Sequence, residues 1–246
     1  MSLTHLFFSP GGETERVARH IHNRTGGSLI NLTLLNARHH FDTTQTYEHV
    51  VLYMPVYSGH VPKPLLSLLK SLQVNRLSVL ITYGGVTTGI ALREVTNAVT
   101  HNTLVSYAII PVHHTYGGHQ NAIDMRQLDP LVQVIKYPTD QSVTTPKIRW
   151  PFWLDWTESW RTRFNYRLTH HPNRCIQCGA CQKVCPVAAI TEDYQLKRSC
   201  LRCGRCVRTC EQNAWTAKQS WFLKRYLKKP RRAHFTMCFH PQDTHP

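Results

Sequence analysis

The stretch CIQCGACQKVCPVAAITEDYQLKRSCLRCGRCVRTC, residues 175–210, states one pattern twice. Cys175, Cys178, Cys181 and Cys185 are spaced C-x2-C-x2-C-x3-C, and Cys200, Cys203, Cys206 and Cys210 repeat that spacing 25 residues later. The repetition runs past the cysteines, since Ala189-Ile190-Thr191 returns as Ala214-Trp215-Thr216 at the same offset. This is the bacterial signature of a pair of [4Fe–4S] clusters, in which the fourth cysteine of each run ligates the other run's cluster. Soft thiolates suit such clusters, and two-residue gaps let three cysteines wrap one cubane from a tight loop. The expected ligand sets are therefore Cys175, Cys178, Cys181 and Cys210 for the first cluster, and Cys200, Cys203, Cys206 and Cys185 for the second. A pair of structural zinc sites is the alternative reading of C-x2-C, but it leaves two cysteines of each run without a role. A disulfide framework fits this register less well still.

Working outward, no cysteine occurs before residue 175, so the cluster region reads as a separate module in a chain of 246 residues. The N-terminal residues lack the positive region and apolar core of a signal peptide, and no run of 18 apolar residues is present. Reduced cysteines fit the cytoplasm. The formal charge is +15, and residues 147–232 carry +14 of it. Two dianionic clusters would absorb about 4 units and a flavin phosphate about 2 more. Roughly +9 then remains to steer an acidic redox partner toward the cluster module.

Residues 1–140 alternate strand and helix signals. Apolar runs at 3–8, 29–34, 49–54, 77–83 and 104–111 read as buried parallel strands, and helical patterns fall near 13–24, 62–73, 89–101 and 124–136. Gly26-Gly27 reads as a helix C-cap. Residues 35–48 lack a clear period and read as an irregular loop. The alternation predicts a doubly wound α/β domain with five parallel strands and ligands at their carboxyl ends. Three loops fall there. Ser9-Pro10-Gly11-Gly12-Glu13-Thr14 opens a helix and offers hydroxyls, backbone N–H groups and a positive helix end to a phosphate. It is neither a Walker loop nor a dinucleotide fingerprint. The loop at 55–62 holds Pro55, Tyr57, Ser58 and Gly59, and Tyr83-Gly84-Gly85 ends the fourth run. Each presents an aromatic ring beside exposed backbone, which suits a planar ligand with a polar edge.

On these loops and the eight cysteines, nearly the whole chain resembles fusions of a flavodoxin-like domain to a bacterial-type 2[4Fe–4S] ferredoxin. The resemblance implies FMN as a cofactor, with residues 9–14 at its phosphate and Tyr57 and Tyr83 flanking its ring. It also implies a flavodoxin-like sheet followed by a small α+β ferredoxin domain. The chain departs from the family pattern in three places. Gly11 replaces a threonine, Glu13 stands where asparagine is usual, and Cys210 is followed by Glu211 rather than proline. A carboxylate beside a phosphate is unfavourable, so Glu13 is expected to weaken binding. Glu211 is expected to make the first cluster harder to reduce.

The expected organisation is a flavodoxin-like FMN domain over 1–146, a Trp/Arg-rich linker helix over 147–169, the ferredoxin domain over 170–218 and a basic tail over 219–246. Trp153, Trp156, Trp160 and Phe164 recur at helical spacing in the linker, which suits either docking of the two modules or contact with an anionic membrane. No recognition fold supports nucleic-acid binding. The expected function is electron transfer between FMN, the clusters and an external partner. One alternative is a flavin-dependent reductase of a small substrate fed by the clusters. Another is a flavin-free cluster protein, which Gly11 and Glu13 leave open.

Overall fold

Strand β1 (Leu3–Phe7) turns through Ser9–Gly12 into helix α1 (Glu13–Thr25), and the chain returns to the sheet as β2 (Ser28–Asn31). The computed structural model describes residues 2–85, 87–100, 102–117, 123–146, 163–228 and 234–240. After β2 come α2 (Leu35–His39), β3 (Thr46–Pro55), α3 (Lys63–Leu69), β4 (Gln73–Tyr83), α4 (Ala91–Ala98), β5 (Thr103–Pro111) and α5 (Asp129–Lys136). The strands pair in the order β2-β1-β3-β4-β5, all parallel. This is the doubly wound order of flavodoxin-like folds, whose topological switch point lies between β1 and β3.

The sheet is buried on both faces, and alternate residues of each strand serve opposite layers. Val50, Leu52 and Met54 of β3 pack with Leu65 and Leu69 of α3 and with Leu92 and Val95 of α4. Val51 and Tyr53 face Val17 and Ile21 of α1 and Leu131 and Ile135 of α5. Each fully buried aliphatic side chain contributes about 2 kcal/mol, so the two layers dominate stability. The expected C-cap forms at Gly26, whose N–H donates to the His22 carbonyl at 2.8 Å. Gly27 is there for space: a Cβ would sit 2.4 Å from the Leu3 carbonyl oxygen, at a φ of +91°.

The structure extends the expected fold in three respects. A short helix, α2, occupies part of the segment read as an irregular loop. The C-terminal residues read as a basic tail supply a further strand, β8 (Thr236–Phe239), antiparallel to β5. It covers a sheet edge that would otherwise expose unpaired backbone groups. Finally, the cluster module begins before the expected boundary at 170. Strand β6 (Tyr166–His170) pairs antiparallel with β7 (Trp215–Gln219), from Tyr166↔Gln219 to His170↔Trp215. Ladder pairing therefore takes residues 166–169 out of the linker helix. Residues 147–162 of the expected linker helix lie outside the described residues.

The internal repeat is visible in the backbone. Helix α6 (Ala180–Lys183) follows Gly179 at φ +71°, and α7 (Arg205–Thr209) follows Gly204 at φ +68°. Gln177 and Arg202 take φ +57° and +56°, while Ala188 and Asn213 take +46° and +50°. Left-handed backbone at non-glycine residues costs about 1–3 kcal/mol each and persists only where the surroundings demand it. Its return at the same offset marks both halves as built around one geometric requirement. Helix α8 (Trp221–Lys228) then leads toward β8, with Trp221 and Phe222 exposed.

Candidate functional site

The ferredoxin-like module presents two groups of cysteines. A cavity is lined by Cys185, Cys200, Cys203 and Cys206 with Pro186, Leu201, Gly204 and Arg205. One thiol from the first run thus joins three from the second, the crossed set expected for the second cluster. Cys175, Cys181 and Cys178 lie near enough to Tyr194 to add to the effect of burial in raising its phenol, and Cys210 packs in the small core that also holds Cys181, Cys185 and Cys206. The Ala189 N–H donates to Cys185 Sγ and the Ala214 N–H to Cys210 Sγ, each at 3.2 Å. These are the two crossing cysteines, and each receives its bond four residues downstream.

The donors around the thiols fit [4Fe–4S] clusters. The Trp215 indole Nε1 and the Arg202 Nε are buried without a hydrogen-bond partner. Trp215 lies against Cys181 and Arg202 beside Cys200, where each favours the thiolate. Anionic sulfur is the acceptor these groups lack, and such donors are costly to bury otherwise. Without metal, burial pushes the Cys203 thiol up to about 11 and Cys206 up to about 12. Cluster formation would therefore displace protons from these thiols.

The phosphate-type loop is held from below. The Ser9 N–H donates to Thr33 Oγ1 and the Glu15 N–H to Ser9 Oγ, both at 2.9 Å. Thr14 Oγ1 lies 2.7 Å from Thr82 Oγ1 on β4. Gly11 and Gly12 remain exposed at the start of α1. A Cβ at Gly12 would meet nothing within 4 Å, although its φ of +97° demands glycine, and one at Gly11 would face Thr115 Oγ1 at 3.3 Å. Exposed backbone at a positive helix end, with open space above it, fits a phosphate. The Glu13 carboxylate turns to Arg16 at 2.8 Å on its own helix, which offsets the charge expected to weaken such binding.

The loop after β3 is a tight turn. Tyr57 and His60 exchange both backbone hydrogen bonds at 3.0 Å, while Ser58 and Gly59 take φ +52° and +93°. Glu94 of α4 clamps it by accepting the Val61 N–H at 2.8 Å and lying 2.8 Å from His60 Nδ1. The Gly59 carbonyl accepts the Ile90 N–H at 2.8 Å, which ties Pro55–Val61 to the loop that leaves Tyr83. In that loop Gly84 faces His114, whose Cδ2 lies 2.2 Å from a Cβ built at residue 84. Tyr83 is anchored by its hydroxyl, which donates to the His234 carbonyl at 2.9 Å and accepts the His234 N–H at 2.8 Å. Tyr57 instead turns toward the cluster module. Burial pushes its phenol well above the ordinary value, with Cys203 close enough to add to the effect. The two tyrosines expected to flank one ring thus commit their polar ends to different neighbours.

The cluster module docks on these same loops. Arg208 Nη2 donates to the Pro10 carbonyl at 2.8 Å and its Nη1 to the Cys203 carbonyl at 3.1 Å, so one guanidinium bridges a cluster loop and the phosphate-type loop. Arg205 reaches the Ser9 carbonyl at 3.5 Å. Tyr116 stacks on Tyr166 with centroids 3.9 Å apart and donates to the Arg202 carbonyl at 2.9 Å. Leu201 packs into the core beside α3 and α4. Arg205 and Arg208 lie inside the second cysteine run, but their partners at Ser9 and Pro10 are almost 200 residues away in sequence, which hid their role. His240 Nε2 lies 3.3 Å from the Ser142 carbonyl, and Cys238 pairs across the ladder with Tyr107. Among the described residues no three His, Cys, Asp or Glu side chains gather on a single metal ion.

Comparison with known proteins bears on the C-terminal module. Residues 168–191 match the family model of a 4Fe-4S binding domain, and residues 198–213 match a second model of the same description. The C-terminal part of the chain is therefore a 4Fe–4S binding region of ferredoxin type. No curated protein matches the chain. Among solved structures, a candidate flavoprotein from Bacteroides eggerthii aligns over 55% of this chain and 97% of its own, with 15% identity and a TM-score of 0.36.

Proposed function

We propose that this protein is an electron carrier whose eight cysteines hold two [4Fe–4S] clusters and whose strand-end loops hold FMN. When bound, the clusters supply one-electron chemistry, and the flavin couples one- and two-electron chemistry. The chain's own part is to position and insulate. The observation that carries this reading is the Arg208 bridge, which fastens the Cys203 loop to the Pro10 carbonyl. It draws the second cysteine set against the β1/β3 switch point, where flavodoxin-like sheets take their ligand. Residues 9–14 would hold the phosphate, and the Glu94-clamped turn at Tyr57–His60 would line the ring. Fold alone does not establish a flavin. The support lies in the exposed Gly11 and Gly12 backbone and in the answered charge of Glu13.

The packing of Tyr116 against Tyr166 and Arg202 favours a carrier over a reductase, because it takes from the site a phenol that could have faced a substrate. The net charge of +14 over 147–232 supports an acidic redox partner. Exposed Trp221 and Phe222 beside Lys224 and Arg225 would also suit an anionic membrane surface. Among the described residues no helix is long and apolar enough to cross a membrane; a cytoplasmic location is proposed from the reduced cysteines alone.

An anaerobic reductive titration of the full chain, followed by visible absorption, tests the reading. Both iron–sulfur and flavin features should bleach, and denaturation should release FMN. Zinc without iron would end the cluster assignment, and iron without any flavin would leave the cluster-only alternative.

A further inference from the structure

Arg38 is a buried cation without an acid. The residue is 8% exposed, and its guanidinium gives its donors to three carbonyls. Nη1 donates to Leu32 at 2.8 Å and to Thr33 at 2.7 Å, and Nη2 donates to Pro186. The guanidinium carbon lies 5.5 Å from the centroid of the Phe8 ring. Among the described residues no carboxylate pairs with it. An arginine stays charged in proteins, and an isolated buried charge is expensive unless something nearby compensates it. The three carbonyl dipoles supply part of that compensation.

The rest is pointed to by the third carbonyl. Pro186 directly follows Cys185, the cysteine that crosses from the first run into the cavity lined by Cys200, Cys203 and Cys206. A cluster held there by four thiolates would carry a net charge of about −2, and about −3 when reduced. The same cavity is approached by Arg202 at Cys200 and by Arg208 at the Cys203 carbonyl. The first cysteine set has a different neighbourhood. Glu211 follows Cys210, and Glu192 and Asp193 precede Tyr194, which has Cys175, Cys181 and Cys178 as electrostatic neighbours. The first set has one exposed and one buried cysteine, Cys178 and Cys181, whereas the second has none exposed and two buried, Cys203 and Cys206.

We infer that Arg38 is the buried counter-charge of the cluster held by Cys185, Cys200, Cys203 and Cys206, and that it makes this inner cluster the more easily reduced of the two. The inference rests on the two-cluster reading above. A fixed positive charge favours the more negative, reduced state, and it does so most strongly where water is excluded. Arg38 also acts as a positioning residue. By holding the Pro186 carbonyl to the backbone of Leu32 and Thr33, it fixes the Cys185 loop against the flavodoxin-like sheet. The outcome is a built-in gradient, from an exposed outer cluster near acids to a covered inner cluster near arginines and the strand-end loops.

The test is a reductive titration of the full chain, reconstituted anaerobically with iron and sulfide and followed by electron paramagnetic resonance. The wild type, R38K and R38Q are compared. R38Q keeps an amide donor for a carbonyl but loses the charge, whereas R38K keeps the charge with a different donor geometry. The wild type should take up about eight irons and reduce in two steps. In R38Q the higher-potential step alone should move down, with a tenfold or greater fall in the reduced-to-oxidised ratio at fixed potential, about 59 mV. In R38K it should move less than twofold. Equal shifts in R38Q and R38K, no shift with iron retained, or a shift confined to the lower step would overturn the role of Arg38. A wild type that takes up about four irons would overturn the two-cluster reading, and this inference with it. If R38Q loads no iron, R38K carries the decision, and a tenfold fall in its higher step refutes the charge argument.

Discussion

Lowering the pH from 7 to 5 should destabilise the flavodoxin-like domain through two histidines that have no room for a proton. His5 is fully buried on β1. Its Nε2 lies 3.0 Å from the Gly26 carbonyl, which can only accept, so the proton sits on Nε2 and Nδ1 accepts from the Tyr53 hydroxyl at 2.8 Å. Burial first, and then the neighbouring His22, lowers its pKa from 6.5 to about 4. His49 on β3 is 2% exposed and faces Ser78 Oγ at 3.0 Å; burial, and then Arg76, lowers it likewise to about 4. A folded pKa below the unfolded one means that the unfolded chain binds the proton more readily. The stability is therefore complete above about 6.5 and is lost as the pH falls toward 4. Each histidine removes about 2 kcal/mol between pH 7 and pH 5, so the pair costs about 4 kcal/mol, a large share of a typical domain's stability. Urea unfolding of the full chain under anaerobic conditions, followed by far-ultraviolet circular dichroism, measures this. His49→Gln removes one titrating group while leaving an amide for Ser78. Its stability should fall less steeply with acid, by about 1 kcal/mol per pH unit between 6.5 and 5. An unchanged slope would refute the assignment of the missing proton site to His49.

Other outcomes follow from the same contacts. Gly27→Ala should cost about 2 kcal/mol or more in urea unfolding, because its Cβ would run into the Leu3 carbonyl at a φ that disfavours side chains; a neutral result would mean that the α1–β2 turn relaxes freely. Glu94→Ala removes the acceptor for Val61 N–H and the partner of His60, which should loosen the turn after β3. FMN affinity measured by fluorescence quenching should then fall about tenfold, the equivalent of one lost charged hydrogen bond, and an unaltered dissociation constant would remove that turn from the site.

Much of the sheet was legible because its central strands are apolar on both faces. Val50–Met54 and Leu77–Tyr83 announce themselves by composition alone. Strand β4 begins earlier, at Gln73, where exposed Gln73 and Asn75 flank the buried Val74 and Arg76 pairs with Glu48 and Asp140 at the rim. Polar residues there hide a strand from any reading based on hydrophobicity. Strand β8 was hidden differently, since Thr236–Phe239 is too short to register and gains its place only by covering the β5 edge. The cysteine runs were legible from spacing, and the cavity lined by Cys185, Cys200, Cys203 and Cys206 brings one cysteine of the first run to three of the second. Arg38 was not, because the carbonyls it holds belong to residues 32, 33 and 186 and only the folded chain brings them together. The same holds for Arg208, whose two partners are the carbonyls of Cys203 and Pro10.

The most direct test of the account is cofactor stoichiometry of the full chain after anaerobic reconstitution with iron, sulfide and FMN and removal of unbound material. Iron, acid-labile sulfide and flavin released on denaturation are counted together per chain. Two [4Fe–4S] clusters and one flavin predict about eight irons, eight sulfides and one FMN. Zinc in place of iron, or a full iron complement that never retains flavin, would contradict the paired-cofactor reading of these loops and cysteines.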